Sequence, residues 1–356
     1  MKAVRYYGKE DLRIDEIAEP EVRPGTVKIA PAYTGICGSD VHLYFDGPMP
    51  PAPSEEEPHP VSGETLPVVM GHEFSGVVEE VGPGVTGINV GDHVVVEPFM
   101  VDGTCPSCNR GDYHLCDQMG FIGISGRGGG LSEHIVVEER WVHPTGSIPL
   151  DQAALIEPLA VAHHGIAHAG YANTDHEGEW ALVGGAGPIG LLTGAVLKAY
   201  GMKVIISEPS GARRDKALEA GVADHVVNPL EEDLHEKVTE LTDGELVSVS
   251  FDAAGVPQVL HDLIHATRPA GRIEVLALHM HPYSMDIMGD LTMKERVIGS
   301  SIGYCNDHPT VIKLVQDGKV NLAPFITSKI KAENVVEDGF NALRNPQEVK
   351  ILVSMN

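Results

Sequence analysis

The sequence predicts an α/β protein with a doubly wound parallel sheet and a second, mostly β lobe. Three observations predict it. From about residue 155 apolar strand-like runs alternate with helical stretches, the pattern of a parallel sheet covered on both faces. Before that point short Val/Ile-rich runs are punctuated by Gly and Pro, as in an all-β or α+β lobe. Finally, 356 residues exceed one ordinary core and fit two domains.

In chain order, TVKIAPAYTG, SGVVEEVG, DHVVVEPF and EHIVVEERWVHP read as strands of the first lobe. The stretch 46–65, DGPMPPAPSEEEPHPVSGET, has the composition of an exposed loop or linker. In the second half ALVGG, VIIS, HVVN, VSFDAAG and RIEVLAL read as strands. IGLLTGAVLKAYG, RRDKALEAG, EEDLHEKVTEL and PQVLHDLIHAT read as the helices between them. No internal repeat is apparent.

Composition narrows the function classes. Hydrophobic residues at 42% against 21% charged indicate a folded chain. The N-terminal MKAVRYYGKEDLRIDE has no apolar core, and no apolar run is long enough to span a bilayer. A soluble, cytoplasmic protein with no membrane partner is expected. The 51 acidic against 25 basic residues, net −26, repel phosphate backbones and argue against nucleic acid. The acids are spread through the chain, which suits a salt-loaded, halophilic cytoplasm where self-repulsion is screened. Five cysteines, three of them within 105–116, suit reduced thiols on metal better than a paired disulfide framework.

Three places bear on the pattern G-x-G-x-x-G. Gly82, Gly84 and Gly87 match literally but precede a turn and a strand, and the Gly126–Gly130 cluster lacks the last glycine. Gly185, Gly187 and Gly190 follow WALVG and open a helix, so free N–H groups at the positive helix end can receive a pyrophosphate. Pro188 falls in the first helical turn, where its missing N–H costs nothing, and Ile189 completes the motif. Glu208 ends the next strand, eighteen residues after Gly190. A carboxylate there accepts the ribose hydroxyls of NAD and repels the extra phosphate of NADP. Arg213 and Arg214 follow it, so NADP is the less favoured alternative.

Three segments carry metal chemistry: GICGSDVH (35–42) with Cys37, Ser39, Asp40 and His42; VVMGHEFSG (68–76) with His72 and Glu73; IEPLAVAHH (156–164) with Glu157. They offer thiolate, imidazole and carboxylate, all zinc donors. His163 and His164 read as packed helix side chains.

Together with DGTCPSCNRGDYHLC, GFIGISGRGGGLSEH, GAGPIGLL and PFITSKI, these segments resemble the zinc-dependent medium-chain alcohol dehydrogenases. Within them the chain looks like the (R,R)-2,3-butanediol dehydrogenase branch, near the sorbitol and threonine dehydrogenases. The resemblance implies a GroES-like catalytic domain from 1–154 and 300–356 around a Rossmann cofactor domain at 155–299. It implies a catalytic zinc on Cys37, His72 and Glu157, with Glu73 beside it. Ser39 and His42 form the expected proton relay, the imidazole suited by a pKa of about 6.5. The expected reaction moves a hydride from a secondary alcohol of a small vicinal diol or polyol to NAD, in a homodimer or homotetramer. Sorbitol, another sugar or threonine is the alternative substrate, and a non-catalytic NAD(P)H-binding structural protein is the alternative class.

The resemblance also places 102–116 on a structural zinc lobe of pattern C-x2-C-x2-C-x7-C. Here Asp102 stands at the first cysteine position, ahead of Cys105, Cys108 and Cys116. A second zinc on this set is expected, because carboxylate is an accepted ligand. His114 as substitute ligand and a metal-free lobe with three reduced thiols remain open.

Overall fold

The computed structural model describes residues 1–355, which divide into two compact units. The first takes Met1–Glu157, His308–Gln316 and the chain from Phe325 onward. Its main sheet runs in the order Val142–Pro144, His93–Val96, Glu73–Val81, Thr26–Gly35, Lys350–Ser354, Ile326–Lys331. Ile135–Glu138 adds to the flank of Thr26–Gly35. Pro31 lies inside this central strand, and the register shifts between Pro31 and Tyr33, the irregularity a proline without an N–H requires. A smaller sheet pairs Lys2–Gly8 with Asp11–Glu16 and Val68–Val69. Val4, Tyr6, Ile36, Met70, Phe340, Ile351 and Val353 pack together as its core. Beyond Asp46, the last residue of helix Gly38–Asp46, the stretch to 65 forms no regular element, and its single histidine, His59, is buried.

The second unit holds 158–307 and 317–324. Its six strands are all parallel. In space they run His225–Val227, Lys203–Ser207, Trp180–Gly184, Val247–Asp252, Thr267–Val275, Val297–Ser300. Numbered by sequence this is 3-2-1-4-5-6, the doubly wound order of dinucleotide-binding sheets. The helices Pro188–Ala199, Gly211–Glu219, Leu234–Leu241 and Pro257–Ala266 connect them. Strand VSVSFD alternates polar and apolar residues, yet all six are buried. Helices cover both faces of a parallel sheet, so the polar positions must find partners inside. Ser250 meets Thr267 Oγ1 at 2.6 Å, and Asp252 Oδ1 accepts from the N–H groups of Ala254 and Gly255. The chain reverses winding between Trp180–Gly184 and Val247–Asp252, and ligands bind at the carboxyl ends of strands at such a point.

Candidate metal centre and cofactor site

Cys37 is the N-cap of helix Gly38–Asp46, with extended backbone that releases it from the preceding strand. The buried Asp40 accepts from Cys37 N–H at 2.9 Å through Oδ2. Its other oxygen lies 3.3 Å from His72 Nδ1. One carboxylate therefore fixes the cysteine at the helix start and faces the imidazole, a job the sequence alone left undecided. His72 follows Gly71, whose φ of +95° favours glycine. Its Nε2 points to Ser39 Oγ at 3.4 Å. Burial opposes a charge on His72, but Asp40 and Cys37 outweigh it and hold the imidazole well above its ordinary range.

The ligand atoms of Cys37, His72 and Glu73 lie within 4.8 Å of one another. Glu73 is already neutralised, because Lys350 Nζ donates to both its oxygens at 2.8 and 2.6 Å and to Ile36 O at 3.2 Å. Both side chains are at most 2% exposed. Burial disfavours the ammonium, yet Glu73, Cys37 and Glu157 outweigh it and raise the Lys350 pKa above its ordinary 10.5. Gly35 lies against this pair so closely that a side chain there would collide with Glu73. Lys350 was invisible in the sequence: it opens an ordinary strand, KILVS, 277 residues from Glu73. Glu157 is buried in the first turn of Ile156–His168. It stands near enough to act on Lys350 but outside the tight three-residue set.

This donor set fits a cation. Thiolate, imidazole and carboxylate suit zinc, a carboxylate behind the imidazole orients such ligands, and the local field favours positive charge on both neighbouring bases. His42 stands apart, half exposed, with Nδ1 2.9 Å from Asp46 Oδ2.

In the second unit the three glycines divide the work. Gly185 has φ +99° and makes the turn. A Cβ on Gly187 would meet nothing within 4 Å, leaving open space before the helix. A Cβ on Gly190 would strike the carbonyl of Gly185. Pro188 is the first residue of the helix that Gly187 caps, and Ile189 follows it. Glu208, buried at the end of the second strand, accepts from Ala186 N–H at 2.8 Å and Ser210 N–H at 2.9 Å. It thus ties the glycine turn to the adjacent loop. Arg214 donates to the carbonyls of Glu208 and Pro209 at 2.8 and 2.7 Å, and Arg213 is half-buried beside it. The literal match at Gly82–Gly87 lies in the turn after strand Glu73–Val81. His163 and His164 both bind Asp307 Oδ atoms, at 2.6 and 2.9 Å.

Asp102, Cys105, Cys108 and Cys116 also gather within 4.8 Å, and His114 is outside the set. Cys105 caps the short helix Pro106–Arg110, which ends at the left-handed Gly111. Asp102 Oδ1 accepts from the N–H groups of Thr104 and Cys105 at 2.6 and 2.8 Å, and these bonds lower its pKa. Cys116 Sγ accepts from Asp102 and Gln118 N–H. Burial and the neighbouring sulfurs push the Cys108 thiol up to about 12, the response expected where several thiols crowd without a countercharge. None of the five cysteines is in a disulfide. The set fits a tetrahedral zinc with one oxygen ligand.

Comparison with known proteins shows the family. Residues 23–149 match the alcohol dehydrogenase GroES-like domain, and residues 188–317 match the zinc-binding dehydrogenase domain. The chain is 52% identical to an (R,R)-butanediol dehydrogenase of Neisseria gonorrhoeae, covering all of both proteins. It is 39% identical to an L-threonine 3-dehydrogenase of Pyrococcus abyssi, over 99% of this chain and 97% of that one. The crystal structure of 2R,3R-butanediol dehydrogenase from Bacillus subtilis superposes with a TM-score of 0.92. That chain is 39% identical, with 100% of this chain and 99% of the other covered.

Proposed function

The chain belongs to the zinc-binding alcohol dehydrogenases, and from that premise we propose that it oxidises a small vicinal diol of the 2,3-butanediol type. The product is the hydroxyketone, NAD accepts the hydride, and the reverse reaction reduces an acetoin-like ketone. The observation that carries the substrate class is the full-length 52% identity to the gonococcal enzyme.

Cys37, His72 and Glu157 are proposed to hold the catalytic zinc. Glu73 serves beside them as a carboxylate whose charge Lys350 has cancelled, so that thiolate and Glu157 alone balance a dication. When bound, the metal supplies Lewis-acid polarisation of the substrate oxygen, and the nicotinamide supplies the hydride acceptor. The chain's own residues manage the proton. Ser39 stands beside His72 and takes the hydroxyl proton, and the half-exposed His42 passes it to solvent. The C–H electron pair leaves as hydride and the O–H proton by this relay, which balances the reaction.

NAD is favoured over NADP by the position of Glu208 at the end of the second strand and by Arg214, which is turned onto backbone carbonyls. Gly185, Gly187, Pro188, Ile189 and Gly190 receive the pyrophosphate, with Arg213 at the rim. Asp102, Cys105, Cys108 and Cys116 hold a second, structural zinc. A homo-oligomer is supported by the number of exposed apolar side chains, Leu278, Met280, Met288 and Met293, in the segment ahead of the edge strand Val297–Ser300, since apolar surface left in water favours association. Light scattering on the purified chain gives the assembly size.

The deciding experiment is NAD⁺ reduction on a panel of diols, sorbitol and L-threonine, at low and molar salt. Turnover highest on a 2,3-diol is expected. Preference for L-threonine, toward which the archaeal relative points, overturns the substrate class, and no turnover on any member overturns the enzyme reading. Cys37→Ala and Glu157→Ala, checked for folding by circular dichroism, should each abolish turnover. Asp102→Ala should lose one zinc equivalent relative to the parent while keeping the Cys37 site loaded.

A further inference from the structure

Neither the diol chemistry nor the thiolate lobe uses Glu97, His143 and His308. We propose that these three side chains form a further divalent-cation site of the zinc class within the GroES-like unit. The backbone places them together. Strand Val142–Pro144 pairs antiparallel with His93–Val96, and Glu97 N–H donates to Trp141 O at 2.8 Å just past the ladder. Glu97, one residue past strand His93–Val96, and His143 on the neighbouring strand thus stand side by side, and His308 opens helix His308–Gln316.

Glu97 is 2% exposed and His308 fully buried, while the His143 side chain is 19% exposed. The two imidazoles stack, with centroids 4.9 Å apart and planes inclined by 14°. Both direct a ring nitrogen at the same carboxylate oxygen, Glu97 Oε2: His143 Nε2 at 3.2 Å and His308 Nδ1 at 3.6 Å. All three ligand atoms lie within 4.8 Å of one another. Metal–ligand bonds of about 2.0–2.2 Å at tetrahedral angles put neighbouring donor atoms about 3.3–3.6 Å apart. The separations of 3.2 and 3.6 Å lie close to that edge length, and the longer exceeds a hydrogen bond.

The surroundings are those of a ligand set. Glu97 Oε1 accepts from the Tyr113 hydroxyl at 2.5 Å, leaving Oε2 to the histidines, the kind of outer support that orients a ligating carboxylate. One buried and one half-buried imidazole turn ring nitrogens toward a single carboxylate oxygen, and a dication between them satisfies both lone pairs. Two nitrogens and one carboxylate oxygen select zinc-like cations over calcium or magnesium, which want oxygen throughout. The site pins a helix from the far end of the chain to a sheet edge.

The test is metal content of the full-length protein, purified in zinc, beside His143→Ala, Glu97→Gln and His308→Asn. Each variant should lose one equivalent against the parent, keep diol turnover and melt at lower temperature. His143 is the least buried of the three, so His143→Ala remains informative if the His308 variant misfolds. After cobalt exchange, thiolate charge-transfer absorption should be unchanged in His143→Ala while the d–d bands weaken by the share of one site. That readout separates this site from Cys37 and the three-cysteine lobe whatever their occupancy. Equal metal content in the parent and a folded His143→Ala variant overturns the proposal and leaves a Glu–His hydrogen-bonded cluster.

Discussion

Lys350 and Glu73 form a buried ion pair in the first unit. A buried ion pair adds little over an apolar pair of the same shape, but removing one member strands the other charge. Lys350→Met should therefore destabilise the protein by about 3–5 kcal/mol in urea unfolding. Adding Glu73→Leu should recover most of that loss, and failure to recover would mean the ammonium does more than neutralise Glu73. The sign of the pH effect follows from the raised Lys350 pKa. Its contribution is fully present below the ordinary lysine value and is lost only as pH climbs through the higher folded value. The parent should hold its stability to about pH 10 and lose part of it beyond, and the double variant should lack that alkaline step. Cys37, Ser39 and His72 could be picked out in the sequence because short motifs carry them. Lys350 could not, because a single basic residue in a strand declares nothing until the fold brings it to Glu73.

At the scale of elements, the glycine turn and its helix were the most legible part, since strand, turn and helix are contiguous and Gly185 and Gly190 each have a steric reason. Gly190 packs against the Gly185 carbonyl, so Gly190→Val must lift the helix from the turn. A fall in NAD affinity of tenfold or more, about 1.4 kcal/mol, is expected by fluorescence titration, with the metal equivalents unchanged. Unchanged affinity would place the pyrophosphate elsewhere. In the same sheet Leu182 is fully buried, and Leu182→Ala should cost about 2–5 kcal/mol in chemical unfolding. The remainder of the fold was harder to read because its elements are short and its partners distant. Strands of two residues such as Val68–Val69 and Phe99–Met100 carry no periodicity. The pairing of Lys350–Ser354 with Thr26–Gly35 leaves no local trace either. VSVSFD misleads on its own, because its serines are buried and satisfied across the sheet.

For the whole molecule the dominant fact is a net charge of −26. Acids occupy exposed positions across it, for example Glu55–Glu57 in one unit and Glu231–Asp233 in the other. At low ionic strength such charges repel over a screening length of about 10 Å at 0.1 M salt, which shrinks to about 3 Å at 1 M. Repulsion favours the expanded chain, so added salt should stabilise the folded state even though it weakens exposed ion pairs. Those pairs, such as Arg13–Asp11 and Lys237–Glu240, contribute little because solvent screens them, and the surplus of acids outnumbers them. The melting temperature should therefore rise steadily from low to molar KCl, and diol turnover should survive in the same range. Sodium chloride should give the same curve if screening is the cause. A melting temperature that is flat or falls with both salts would mean the acidic surface serves solubility and is not an adaptation to high salt.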